Sequence, residues 1–193
     1  MMDDSFKLIS TAVLANDWGK LTKYEFDLLH SDGVWRRQTR EVYDRGNGAT
    51  CLLYNPDRQT VLLTRQFRLP AFINGNVPSL VETPAGLLEG AAPEERMRAE
   101  LMEETGFQVS NLSHLFDIYM SPGSVSEYLA FFYGTYTDGD RVGEGGGTLE
   151  EGEDIGVMEI DLDAALAMID SGEIRDGKTV ILLQHLALKL LRA

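Results

Sequence analysis

The residue pattern predicts an α/β chain of the α+β kind. Three observations carry that expectation: apolar residues alternate near the N-terminus, strand-like runs pair in the middle, and helix signals stand at Pro93–Thr105 and again near the C-terminus. From Lys20 to Leu29 the alternating apolar positions are Leu21, Tyr24, Phe26 and Leu28, and Ser31-Asp32-Gly33 signals a turn before a second strand at Val34–Val42. Together they predict a small N-terminal antiparallel sheet, assigned to a subdomain of residues 1–45. The main domain, 46–193, opens with runs at 49–55 and 61–67 separated by the turn residues Asn55-Pro56-Asp57. A further strand is expected at Leu80–Thr83, ahead of a loop at Ala85-Gly86. Pro93 suits the first turn of a helix, Glu94 and Glu95 its positive end and Gly106 its carboxyl end, although Ala92 is a poor N-cap. Strands follow at His114–Tyr119, Tyr128–Tyr136 and Ile155–Ile160, the last preceded by a long Gly- and Glu-rich loop, Asp138–Asp154. Within that loop Gly145-Gly146-Gly147 reads as flexibility, since no strand-glycine-helix context surrounds it. Helices at Leu162–Ile169, ending at Gly172, and at Thr179–Leu191 close the chain, and the leucines of the second call for burial.

Composition narrows the function. A chain of 193 residues with 44% hydrophobic content can bury a core. Its formal net charge of -14 argues against nucleic acid or an anionic membrane as partner, because both repel it. A phosphate substrate therefore needs cations as intermediaries. The lone cysteine, Cys51, lies in an apolar strand-like run and reads as a buried structural thiol. Met1-Met2-Asp3-Asp4 lacks the features of a leader and no stretch reaches the length of a membrane span, so the expected location is cytoplasmic. His30, His114 and His185 share no metal-ligand spacing and are read as structural. Gly172–Thr179 matches a phosphate-cradling P-loop literally. It is rejected, because it follows a helical pattern where a buried strand is required, and Glu173-Ile174-Arg175-Asp176 is bulky and acidic where phosphate needs open backbone amides.

At 3.6 residues per turn Glu100, Glu103 and Glu104 span an arc of about 100°, so three carboxylates project from one side of their helix. Such a face is either solvated, the ordinary fate of surface glutamates, or neutralised by a hard divalent cation, which prefers oxygen ligands shared with substrate phosphates.

The flanking residues favour the cation. Ala85-Gly86, a loop, the helix from Pro93 and then Glu100-Leu101-Met102-Glu103-Glu104-Thr105-Gly106-Phe107 resemble the Nudix box. The family pattern runs Gly, five residues, Glu, seven residues, Arg-Glu, an aliphatic, any residue, Glu-Glu, any residue, Gly and an apolar residue. Here the gap is one residue short, Ala92 stands where the first Glu falls and Ala99 where the Arg falls. These departures remove a Glu–Arg pair that braces loop against helix, so weakened but retained catalysis is expected. Arg96 and Arg98 read as supports for the helix itself rather than as replacements for that brace. Outside the box, Glu41–Ala49, Arg65-Gln66-Phe67-Arg68, Tyr119–Gly123 and Gly172–Thr179 are similar to the bacterial GDP-mannose pyrophosphatase branch of the Nudix hydrolases.

That resemblance implies a mixed β-sheet sandwiched between helices, an N-terminal sheet exchanged in a homodimer, and magnesium, with manganese as the alternative, as cofactor. It implies metal ligation by Glu100, Glu104, the backbone carbonyl of Ala85 and one later glutamate, Glu153, with Glu150 and Glu151 as competitors because the loop carries a two-residue insertion. It implies substrate contacts from Trp18 stacking on the base, Arg40 of the neighbouring subunit, Arg68, Ala85, Gly86, Glu127 and Lys178, the last a cation at the rim of the site. Glu103, Glu127 and Glu153 are the candidates for activating water. The implied reaction cleaves the pyrophosphate of a nucleotide sugar, GDP-mannose to GMP and mannose 1-phosphate. Rival readings are an ADP-ribose or ADP-sugar pyrophosphatase of the same fold, and a Nudix domain that binds a nucleotide sugar without hydrolysing it.

Overall fold

A computed structural model of the protein describes residues 4–148, 150 and 152–192, which form two compact units. The first comprises the residues through Asn47 together with Tyr119–Tyr128, and the second runs over Gly48–Ile118 and from Leu129 onward.

In the first unit β1 (Phe6–Asn16), β2 (Lys20–Leu29) and β3 (Trp35–Asp44) form an antiparallel sheet in the order β1-β2-β3. The β2/β3 hairpin is the expected one, its register pairing Leu21 with Tyr43 and Tyr24 with Arg40. The eleven-residue β1 goes beyond that expectation. Its register with β2 shifts between Leu8 and Ser10 and again between Val13 and Ala15. Each shift breaks the period of two, so no alternation survives to be read. The Tyr119–Tyr128 segment is stitched to β3 by backbone hydrogen bonds from Tyr43 N to Ser124 O (2.8 Å) and from Ser126 N to Tyr43 O (3.1 Å).

The second unit is built on a seven-stranded sheet. Its main path is β10 (Gly156–Asp161), β5 (Thr60–Gln66), β4 (Gly48–Asn55), β9 (Tyr128–Thr135) and β8 (Leu112–Tyr119); β6 (Leu80–Glu82) pairs with β5, and β7 (Ala85–Leu87) with β4. β4 runs antiparallel to β5 and parallel to β9, so the sheet is mixed. Every residue of β4 is buried, as a central strand covered on both faces requires. Cys51 and Leu53 face Met97 and Leu101 of the acidic helix in a cluster with Leu62, Phe107, Phe132 and Tyr136. Leu52, pointing the other way by strand alternation, is also fully buried, and the last helix packs on that strand.

Among the described residues four α-helices accompany the sheet: α1 (Leu69–Gly75), α2 (Pro93–Glu100), α3 (Leu162–Asp170) and α4 (Gly177–Leu190). α1 has no buried residue and hence no apolar stripe for periodicity to detect. α2 starts on Pro93 without a side-chain cap, as Ala92 foretells, and carries Glu94 and Glu95 in its first turn. At Leu101–Thr105 the helix widens into a π-helical turn that stops at Gly106, whose φ of 77° is left-handed. Such turns are frequently found at functional sites. A Cβ at Gly106 would lie 2.2 Å from the Gly143 carbonyl oxygen, so glycine is required there on both counts. α4 begins at Gly177, two residues before the expected Thr179, because Asp176 caps it by accepting from Thr179 N. Its Leu182, Leu183 and Leu186 are buried as expected, whereas Leu188 and Leu190 are exposed.

Candidate active site

The site of the second unit is assembled where β7 passes α2. β7 is a short strand in place of the loop expected at Ala85-Gly86, pairing Ala49 with Gly86 and Thr50 with Ala85. Its entry is fixed by the buried Thr50, whose hydroxyl meets that of Thr83 at 2.9 Å and the Pro84 carbonyl at 3.0 Å. Ala85 N then donates to Glu104 Oε2 at 3.1 Å. A Cβ on Gly86 would fall 1.6 Å from Glu100 Oε1, so only glycine lets strand and carboxylate approach this closely.

Glu100 and Glu104 are 5% and 1% exposed, an extreme burial for glutamates. Burial, opposed by the Arg96 guanidinium and reinforced by Glu103, Glu153 and Glu89, pushes the Glu100 carboxyl up to about 7. Burial, with Glu100 and Glu153 adding repulsion against the Ala85 amide, pushes Glu104 up to about 8. Arg96, with Nη2 2.6 Å from Glu100 Oε1, offsets only part of this cost, so the two buried carboxylates remain short of positive charge. Among the described residues no three side chains form a ready-made metal cage. The donor set nevertheless fits magnesium or manganese, which are ordinarily held by one or two carboxylates with water and substrate phosphates completing the sphere. Glu103, exposed on the same turn, has Oε2 3.7 Å from Arg96 Nη1.

The long loop before β10 reaches this site. Gly145, Gly146 and Gly147 all have positive φ, and Gly146 N and Gly147 N donate to the carbonyls of Glu104 (2.9 Å) and Glu103 (3.1 Å). The glycines therefore dock the loop on the π-helical turn, which corrects their reading as flexibility. Glu153, the expected loop ligand, follows, with Oε2 accepting from Thr148 N at 3.0 Å. Of its competitors, Glu150 is exposed in the loop and Glu151 lies outside the described residues.

The two cations expected to meet substrate in this unit converge on a carboxylate that sequence reasoning missed. Arg68 clasps Glu82 through Nε to Oε1 (2.8 Å) and Nη2 to Oε2 (3.1 Å), and Lys178 Nζ contacts Oε2 at 2.5 Å and Asp176 Oδ2 at 3.0 Å. Lys178 is only 7% exposed, so its placement at a rim is corrected. Glu82, 2% exposed, is held ionised: burial works against its charge, but Lys178 and Arg68 outweigh it and keep its carboxyl below the usual range. The only sequence signal for it is an acidic residue ending the apolar run Leu80-Val81.

The other candidates belong to the first unit. Glu127 is paired with Arg45, Oε1 to Nη2 2.9 Å, and the same guanidinium lies 5.6 Å from the ring of Trp18, which is 70% exposed. Arg40, exposed on β3, turns onto Thr39 O (2.7 Å) and Gln38 Oε1 (3.0 Å). Cys51 is fully buried and burial pushes its thiol up, which suits a structural residue. The Gly172–Thr179 segment joins α3 to α4, and the Asp176 carboxylate occupies the amide of Thr179, so no phosphate cradle exists there.

A mixed sheet, a glycine strand packed against a helix with two buried carboxylates, and a returning acidic loop together define the class. Residues 44–182 match the model of the NUDIX domain, and the chain belongs to the Nudix hydrolase family as a pyrophosphatase. Residues 6–43 match the model described as the GDP-mannose pyrophosphatase NudK N-terminal domain. The chain is 50% identical to a GDP-mannose pyrophosphatase of Pectobacterium atrosepticum over 95% of each chain. It is 50% identical to one of Citrobacter koseri over 96% of each, and 48% identical to one of an Enterobacter species over the full length of both.

Proposed function

We propose that the chain hydrolyses GDP-mannose to GMP and mannose 1-phosphate with magnesium, manganese being the alternative ion. The observation that carries this reading is the buried pair Glu100 and Glu104 against Ala85 and Gly86, in a chain half identical to GDP-mannose pyrophosphatases along nearly its whole length. Glu100, Glu104, the Ala85 carbonyl and Glu153 are the proposed ligands. When bound, the ion supplies charge neutralisation at the diphosphate as water attacks phosphorus. The chain's own residues do the remainder. Arg68 and Lys178, oriented by Glu82, bind diphosphate oxygens through charge-assisted hydrogen bonds. Trp18 offers an aromatic face to the base, and Arg40 acts from the neighbouring subunit of a homodimer. The attacking water gives its proton to one of Glu103, Glu127 and Glu153, which glutamine substitution of each in turn distinguishes.

Among the described residues no helix is long and apolar enough to cross a membrane; the cytoplasm is the proposed location. The test is a panel of GDP-mannose, GDP-glucose, ADP-ribose and ADP-glucose, each assayed with magnesium and with a chelator. GDP-mannose is expected to give the highest kcat/KM, lost on chelation. A higher kcat/KM for ADP-ribose, or turnover that survives the chelator, would overturn the proposal.

A further inference from the structure

The departures at Ala92 and Ala99 leave the box without its usual brace, yet β7 and α2 are held together. Besides the Ala85 N–Glu104 bond, the side chain that ties strand to helix is Arg96. From the inner face of α2 its Nε donates to the Leu87 carbonyl of β7 at 3.1 Å, while Nη2 meets Glu100 Oε1 at 2.6 Å and Nη1 approaches Glu103 Oε2 at 3.7 Å. Its side chain is only one quarter exposed, so these contacts are sheltered from water. This corrects the expectation that Arg96 supports only its own helix. Arg98 does have a support role: it bonds Glu94 one turn back (2.7 Å) and the Ser110 carbonyl beyond the helix (2.9 Å).

We infer that Arg96 is the positioning residue of the metal site, a substitute brace that fixes β7 and the Glu100 carboxylate relative to one another. One planar guanidinium presents several donors in a fixed fork, so a single side chain can tie a strand carbonyl and a carboxylate in one geometry. The two groups it joins are the parts of the site that sequence alone leaves unconnected: β7, which carries the Ala85 carbonyl and Gly86, and the ligand-bearing turn of α2. A lysine keeps the charge but has no fork. The charge itself opposes a bound cation, so a role in orientation and a role in charge give opposite expectations for metal affinity.

The inference rests on the metal reading above, and its test separates the two. Manganese binding to the substrate-free protein is measured by the loss of the free-ion electron paramagnetic resonance signal, in the unaltered chain and in Arg96→Ala, Arg96→Lys and Arg98→Ala, with circular dichroism to follow the fold. Arg96→Ala is expected to weaken manganese binding at least about tenfold and to lower kcat with little change in KM, the pattern of a misplaced ligand. Arg96→Lys should be weakened as well. Arg98→Ala should bind manganese normally while melting earlier. Manganese bound as tightly or more tightly by Arg96→Ala, or full recovery in Arg96→Lys, would overturn the inference, for charge and not geometry would then be its contribution. If Arg96→Ala fails to fold, Arg96→Lys decides by the same criterion. No manganese binding by the unaltered chain would instead overturn the metal reading, and this inference with it.

Discussion

Glu82 shows how one buried residue can organise two others. An ionised carboxylate 2% exposed is tolerable only because Arg68 and Lys178 satisfy it, and in return it sets where both cations point. Its carboxyl titrates below the ordinary 4.5, so the stability it contributes is fully present above that pH and is lost as pH falls through the folded value. Glu82→Gln should therefore lower unfolding free energy by about 3 kcal/mol at pH 7, the lower end for a broken buried pair because Arg68 remains partly exposed. Urea titrations at pH 7 and pH 3 check it. The gap between variant and wild type should narrow at pH 3, and an unchanged gap would contradict the linkage. For the proposed ligands the expectation concerns rate: Glu100→Gln and Glu104→Gln should each cut turnover at least about a hundredfold, the scale of lost transition-state charge stabilisation. Steady-state assays at saturating magnesium measure this, and near-wild-type rates in both would remove the metal from these carboxylates. Glu100 and Glu104 were legible in the sequence because helical spacing and box pattern coincide on them. Glu82 was not, since nothing along the chain announces partners fourteen and ninety-six residues away.

Among elements, legibility followed burial pattern. β2, β3, β4 and β5 present a hydrophobic run or an alternation, and each was readable; β1 hid behind its two register shifts and α1 behind its lack of any buried face. The π-helical turn hid for another reason, since the same residues continue an α-helix as readily. Its carbonyls at Glu103 and Glu104 find partners in the glycine loop, a long-range pairing that composition cannot reveal. This gives the loop a structural test. Gly145 has φ +71°, and a Cβ there would lie 2.5 Å from the carbonyl carbon of Thr105 and 2.6 Å from the Glu104 oxygen. Gly145→Ala should cost about 2 kcal/mol through backbone strain and lost docking, and should open residues 138–154 to proteolysis. Limited digestion that leaves this loop intact, with an unchanged melting temperature, would show that the docking contributes little.

At the scale of the whole molecule, the first unit displays what a monomer ordinarily avoids. β1 is exposed along all eleven residues, and Phe6, Leu8, Ile9, Val13 and Leu14 stand on it at about half exposure each. A long apolar strand left open invites pairing or a covering surface. The net charge of -14 works against pairing of like copies, so the apolar face must supply the attraction; a second copy presenting the same face is the expected partner. We predict a homodimer with twice the chain mass by light scattering, converted to monomer by the double variant Leu8→Asp and Val13→Asp with the second unit still folded. Subunit mixing tests whether Arg40 serves the neighbouring site. Arg40→Ala and Glu104→Gln dimers are each expected to be impaired, but after exchange half of the dimers are mixed, and each mixed dimer carries one site with Glu104 on its core and Arg40 from its partner. Activity should therefore recover to about a quarter of wild type if Arg40 acts across the interface. If Arg40 acts within its own chain no mixed site is whole, and mixing two nearly inactive proteins yields no gain. A mixture that stays inactive although exchange is demonstrated by mass would place Arg40 beside its own subunit's site and leave the exposed face of β1 with a purely structural role.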